Sequence, residues 1–405
     1  MRQTEKLFTF QFIALNLVSF FAFCNLSVFY SFYEYLSKLG IPAQWRGVLT
    51  GLEPTGAFLS CLTMIPLLRA GSAAVIIPTA LALLVTALYS YSWAVTIPTL
   101  IVLRLFHGAA FGLLVSANVT TLAGLIPKQR ENLGWGIASV PALILFAVMP
   151  LMTETLLAHG RTEPQIYAGI TILAFPAAFL LLVLGRKMKD AVRDPDGPML
   201  KRPYLAEMRR DFGQGRTILL PGIVLFLLLG CSTVFFFMKS HAAGIASGET
   251  GRFFAIAIPI ALATGAFLGT LPEWAGKVKA LWFAMLLLVL CFFSFGLAHT
   301  RLALELTAGL FGLCIGAFLP LLRAAAPLLS PGSPRGLRTN LTPCAMGAGF
   351  LLGPYLGGAL IAKGLCPPAL FNVCGGFLLI CTALLTAPAF KNTRRAGAPG
   401  KGPSE

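Results

Sequence analysis

Twelve runs of roughly 20 apolar residues, separated by short polar loops, limit what this 405-residue chain can fold into. A helix rises ~1.5 Å per residue, so each run matches the ~30 Å hydrocarbon core of a bilayer. Inside lipid every backbone N–H and C=O needs a partner within the span, which leaves helices or a closed barrel. Continuous runs without apolar/polar alternation point to helices. The runs lie at about 7–34, 46–69, 72–91, 97–126, 134–158, 166–185, 217–239, 253–272, 280–298, 302–326, 340–362 and 367–389. The expected fold is an all-α membrane protein with 12 transmembrane helices. Charge agrees, because 11% of residues are charged against roughly 25% in soluble domains.

One polar stretch divides the chain. Residues 186–216 hold nine of the 31 Lys and Arg residues and all four aspartates. The expected organisation is a six-helix bundle at 1–185, a basic linker at 186–216, a second six-helix bundle at 217–390 and a disordered tail at 391–405. With the N-terminus taken as inside, the loops place 22 Lys and Arg on the inner face and seven on the outer. That bias puts both termini and the linker in the cytoplasm. The first run continues too far for a cleaved leader and is expected to remain as a span. Gly108, Gly112 and Pro127 recur as Gly312, Gly316 and Pro331 at a constant offset of 204. Pro54 recurs as Pro259 and the string Thr55–Leu59 as Thr264–Leu268, at offsets of 205 and 209. These matches pair helix 2 with helix 8 and helix 4 with helix 10, in two pseudo-symmetric halves.

Several function classes drop out. The Lys and Arg residues sit in loops rather than in a basic patch interleaved with aromatics, so no nucleic-acid partner is expected. The nine cysteines stand singly and the four histidines lack metal spacing, so neither disulfide nor metal is expected. There is no phosphate-binding loop. Paired intramembrane aspartates, a Ser/His pair and HExxH are all missing, which argues against an intramembrane enzyme. No cofactor is expected, and an ion gradient remains as the energy source.

Intramembrane polar residues are then the candidates. Glu53 and Arg104 each lie seven residues inside their helices from the outer surface, about 10 Å deep by helix rise. They are read as a proton-coupling charge pair, with His107 one turn deeper than Arg104. Glu53 beside Pro54 otherwise caps a helical break, and Arg104 otherwise snorkels to the interface. Asn25 and Asn118 are buried amides that need partners. With Tyr30 they are read as solute contacts, on helices 1 and 4. Glu34 and Glu305 read as interfacial, the latter with Arg301 as its i, i+4 partner. Lys239 and His241, at the end of helix 7, read as snorkelling or gating residues.

Three strings resemble the major facilitator superfamily of secondary transporters. Gly269-Thr-Leu-Pro-Glu273-Trp-Ala-Gly276-Lys277 resembles its cytoplasmic hairpin motif G-x-L-x-D-x-x-G-R/K. The first-half turn at Met64–Gly71 keeps Arg69 and Gly71 but has no acid. Arg104-Leu-Phe-His107-Gly108 is similar to R-x-x-Q-G with His for Gln. Gly349, Gly353, Pro354, Gly357 and Gly358 match G-x-x-x-G-P-x-x-G-G, the antiporter string, although on helix 11 rather than helix 5. The resemblance implies alternating access between two bundles and a cavity lined by helices 1 and 4. It also implies a gate latch at Gly269, Glu273, Gly276 and Lys277, and proton-coupled efflux of a small organic solute. Import, uniport and a non-transporting receptor or assembly role stay open. The expected setting is a monomer in the bilayer of a plasma membrane, the bacterial inner membrane in the first instance, with a small-molecule substrate.

Overall fold

The computed structural model describes residues 7–64, 70–127, 130–184, 219–245, 249–269, 277–329 and 341–391. The linker, the expected tail beyond Lys391, which itself closes the last helix, and the latch residues Glu273 and Gly276 lie outside the described residues. Gly269 and Lys277 end their helices, and their surroundings lie outside as well.

Every described element is helical. The first span runs Phe10–Lys38 and is named α1; a 3-10 turn at Val28–Ser31 breaks it. There follow α2 Ala43–Leu59, α3 Ala73–Ser90, α4 Ile97–Leu125 and α5 Glu131–Ala158. In α6, Glu163–Ile170 and Ala174–Leu184 join through a 3-10 turn. The second half comprises α7 Leu219–Ala242, α8 Thr250–Gly269, α9 Lys277–Ser294, α10 Arg301–Leu329, α11 Leu341–Ala362 and α12 Pro367–Lys391. Among the described residues, eleven helices are long and apolar enough to cross a membrane. The expected twelfth span, α2, has 17 described α-helical residues and continues as a π turn at Ser60–Met64. It lies between α4 and α11.

Local chemistry sets several ends. Thr96 with Thr99, and Thr162 with Gln165, close capping boxes that satisfy first-turn N–H groups of α4 and α6, each with Pro in the first turn. Gly160 and Gly364 end α5 and α11 at φ of 80° and 90°. Only glycine takes that left-handed conformation freely, and the two stand 204 apart.

Packing repeats the same register. α2 lies on α4 as α8 lies on α10, α1 on α5 as α7 on α11, and α3 on α6 as α9 on α12. Gly108 and Gly112 of α4 face the carbonyls of Glu53 and Ala57, while Gly312 and Gly316 of α10 face those of Ala257 and Ala261. Ala57 therefore corresponds to Ala261, five residues before the alanine of the second Thr-Gly-Ala-Phe-Leu string. The two copies of the string thus do not occupy equivalent positions in the two halves.

Two apolar cores form. One gathers buried residues from Leu7 to Leu181. The other gathers residues from Leu220 to Leu385 together with Tyr30 and Tyr33 of α1. The 3-10 turn in α1 thus sends Phe29 and Phe32 into the first core and Tyr30 and Tyr33 into the second. Between the halves, α2 packs on α11, α5 on α8, and the end of α1 on α7. Large apolar side chains such as Phe175, Phe179 and Leu182 face outward, as a lipid-facing surface requires and a water-facing one does not.

Candidate functional site

The α2/α4 crossing brings the predicted charge pair together. A Cβ on Gly108 would overlap the Glu53 carbonyl, and one on Gly56 would lie 2.5 Å from the Leu105 carbonyl. Without side chains at those points the two backbones close up, and Arg104, one turn before Gly108, reaches the α2 main chain. Pro54 has no N–H, so the Thr50 carbonyl four residues earlier has no helical partner. Arg104 Nη2 donates to that oxygen at 2.9 Å, and Nε donates to the Leu49 carbonyl at 3.1 Å. Glu53 Oε2 lies 3.7 Å from Nη2 and accepts no hydrogen bond. Phe32 and Phe29 stand 4.4 and 5.1 Å from the guanidinium carbon, a cation–π enclosure.

The network runs on through the first half. Arg104 Nη1 donates to the Tyr91 hydroxyl at 3.3 Å. Tyr91 lies 3.0 Å from His107 Nδ1, and His107 Nε2 lies 2.5 Å from Asn25 Oδ1. Asn25 Oδ1 can only accept, so His107 carries its proton on Nε2 and the Tyr91 O–H donates to Nδ1. Arg104, Tyr91 and Asn25 have no exposed surface, and His107 and Glu53 have 1% and 2%. The arrangement is a directed row of donors from a guanidinium to an amide, sealed from solvent.

Deeper along α4, a cavity of about 320 Å³ opens between α1, α4 and α5. Asn118 lines it, donating through Nδ2 to the Leu15 carbonyl at 3.0 Å and to Ser19 Oγ at 2.7 Å. Its Oδ1 is buried without a partner, an acceptor of the kind that costs about 1–3 kcal/mol when left unmet. The rest of the lining is mainly apolar, with Phe23, Trp135 and Ser139, and no charged side chain belongs to it.

The model of the Major Facilitator Superfamily matches residues 15–310. The chain belongs to the Major Facilitator Superfamily. It is a multi-pass membrane transporter and not an enzyme. A solved POT family transporter, in complex with a thioalcohol-conjugated peptide, shares its fold with a TM-score of 0.67. The match covers 96% of both chains at 12% identity. No curated protein matches the chain in sequence.

On this superfamily framework the predicted site residues fall into separate places. Glu53, Arg104, His107 and Asn25 meet in one network, in which Asn25 serves His107 rather than an open surface. Asn118 lines the cavity. Tyr30 does not: it is buried in the second core, with the Lys239 ammonium 5.4 Å from its ring centroid. Glu34, read as interfacial, accepts from Ser240 of the other half. Arg301 and Glu305 pair at 3.0 Å as expected.

The helix 11 string is a packing surface. Gly349 and Gly353 face the Leu225 and Leu229 carbonyls of α7, Gly357 faces the Phe237 ring, and Gly358 meets Gly47 of α2. Pro354 lies within α11, where its carbonyl is near Gly47. Sequence reasoning missed Tyr91 and the Thr50 carbonyl. The usable signal for the carbonyl was Pro54 beside Glu53; Tyr91 carried none, because it sits in the turn after α3.

Proposed function

We propose that the chain exports a small, largely apolar organic solute in exchange for protons, by alternating access between its two halves. The observation that carries the proton coupling is the unequal anchoring of the buried charge pair. Arg104 keeps three hydrogen bonds that do not involve Glu53, whereas the nearest cation to Glu53 is Arg104, at 3.7 Å. Glu53 is therefore the member whose charge can change while the other stays in place. The solute site on this reading is the α1/α4/α5 cavity. It holds no charge to meet a charged group and offers Asn118 Oδ1 to a single N–H or O–H donor. Efflux, rather than import, follows from the helix 11 string and the apolar lining.

Inverted vesicles with an imposed pH gradient test the reading. The wild type should accumulate neutral amphipathic amides or alcohols and discriminate against carboxylate analogues of the same skeleton. Glu53→Gln should lose gradient-driven accumulation and keep solute exchange at zero gradient. Unchanged accumulation in Glu53→Gln removes it as the proton carrier.

A further inference from the structure

A second set of ionisable groups lies outside the charge pair, where the two halves meet at the end bearing the α1–α2, α5–α6, α7–α8 and α11–α12 turns. The Lys and Arg count assigns this end to the outside. Glu154, from α5, reaches across to the first turn of α8. Its Oε2 accepts from the Gly251 N–H at 2.7 Å and its Oε1 from the Thr250 N–H at 3.2 Å. A Cβ on Gly251 would lie 2.6 Å from Leu151 Cα, so the two helices touch there. Glu34, from α1, accepts from Ser240 Oγ of α7, and its other oxygen is buried without a hydrogen bond. Lys239, next to Ser240, interacts electrostatically with both carboxylates. Tyr30 lies beneath its ammonium and Tyr33 meets Phe237 edge to face.

We propose that Glu154 and Glu34 are positioning residues that clasp the two halves shut at this end while ionised, and that their protonation releases it. Both contacts join one half to the other, so this end can open only by breaking them. Both rely on negative charge. A carboxylate over first-turn N–H groups is held by charge-assisted bonds and by the positive end of the helix, and a protonated carboxyl loses most of both. The other ionisable groups facing the clasp are Tyr30, Tyr33, Lys38, Arg46, Glu163 and Lys239. Lys38 is bound to Glu163 at 2.5 Å within the first half. The inference does not rest on Glu53, which contacts no residue of the second half in the hydrogen-bond and ion-pair network described above.

Amide exchange on the full-length protein reads the clasp directly, because the bonded N–H groups belong to Thr250 and Gly251. After correction for intrinsic exchange, a peptide spanning them should lose protection by about tenfold between roughly pH 8 and pH 4, a range that reaches down to the ordinary glutamate value of about 4.3. Glu154→Gln should exchange about tenfold faster at the upper pH and keep only the smaller pH dependence that Glu34 supplies. Ser240→Ala, which leaves Glu154 intact, should weaken the clasp through Glu34 and keep part of the pH response. Peptides from Leu100–Leu114 of α4 report whether each variant is folded. Protection that is independent of pH in the wild type, or a full pH response in Glu154→Gln, overturns the proposal. Neither result bears on gradient-driven flux in Glu53→Gln, so the two readings fail separately.

Discussion

The α2/α4 and α8/α10 crossings share one backbone frame and differ in what fills it. At the offset of 204, Glu53 corresponds to Ala257, Arg104 to Ala308, Tyr91 to Phe295, His107 to Phe311 and Tyr167 to Phe371. Leu49 corresponds to Phe253 and Leu88 to Phe292. Where the first half encloses a guanidinium, the second packs rings. Phe295 lies 4.7 Å from Phe371, 5.8 Å from Phe253 and 6.2 Å from Phe311, centroid to centroid. The volume lost at Ala308 is regained by larger residues around it, as close packing demands. The lesson is that the glycine frame is a mechanical part common to both halves, whereas the charge network is an addition confined to one. Under the function proposed above, two rocking bundles need the frame twice and the coupling site once.

The sharpest break of this comparison is Arg104→Ala, which makes the first half resemble the second at one position without the compensating rings. It strands Glu53 in a sealed site and should cost about 3–5 kcal/mol, seen as a large drop in melting temperature in detergent. Glu53→Gln should cost far less, because Arg104 retains its three other bonds. Equal losses for the two would mean that the pair is a structural unit with no labile member.

Next in size are Gly108→Val and Gly312→Val. Each puts side-chain carbons against a carbonyl of the neighbouring helix, so each should cost about 1–3 kcal/mol or more. The costs should be similar in the two halves. If one is tolerated while the other is not, the shared frame is only apparent.

Tyr91→Phe and Phe295→Tyr exchange the halves' character one hydroxyl at a time. The first leaves His107 Nδ1 without its donor and the second buries a hydroxyl in a cluster of rings, so each should cost about 1–3 kcal/mol. The smallest effect belongs to the contact between halves: Tyr355 donates to Thr55 Oγ1 at 3.0 Å, and Thr55→Val should cost about 0.5–1.5 kcal/mol and leave both crossings intact.

The frame was legible in the residues because it is written in glycines and prolines at fixed spacing. Gly108 with Gly312 and Gly112 with Gly316 gave the correct register, while the longer Thr55–Leu59 string misled by five residues. The depth of Glu53 and Arg104 was also legible, since both are charged letters in apolar runs. The partners of Arg104 were not. Two of its three hydrogen bonds go to backbone carbonyls, which every residue possesses and no sequence marks. Tyr91 joins them only because the turn after α3 folds over α4. Asn25 read as a solute contact until His107 was seen to occupy it.

By itself the sequence determined that apolar helices must cross a bilayer, that the chain repeats at about half its length, and that a Glu and an Arg lie at matching depth in the first half. Those follow from hydration: burying a charge or an unbonded peptide group in hydrocarbon is costly enough to leave a mark on residue choice. Tertiary structure alone decided which groups complete the charge network and which carboxylates bridge the halves. Glu154 and Gly251 are 97 residues apart, and Glu34 and Ser240 are 206 apart. Contacts of that range depend on how helices dock, and docking geometry has no local signature.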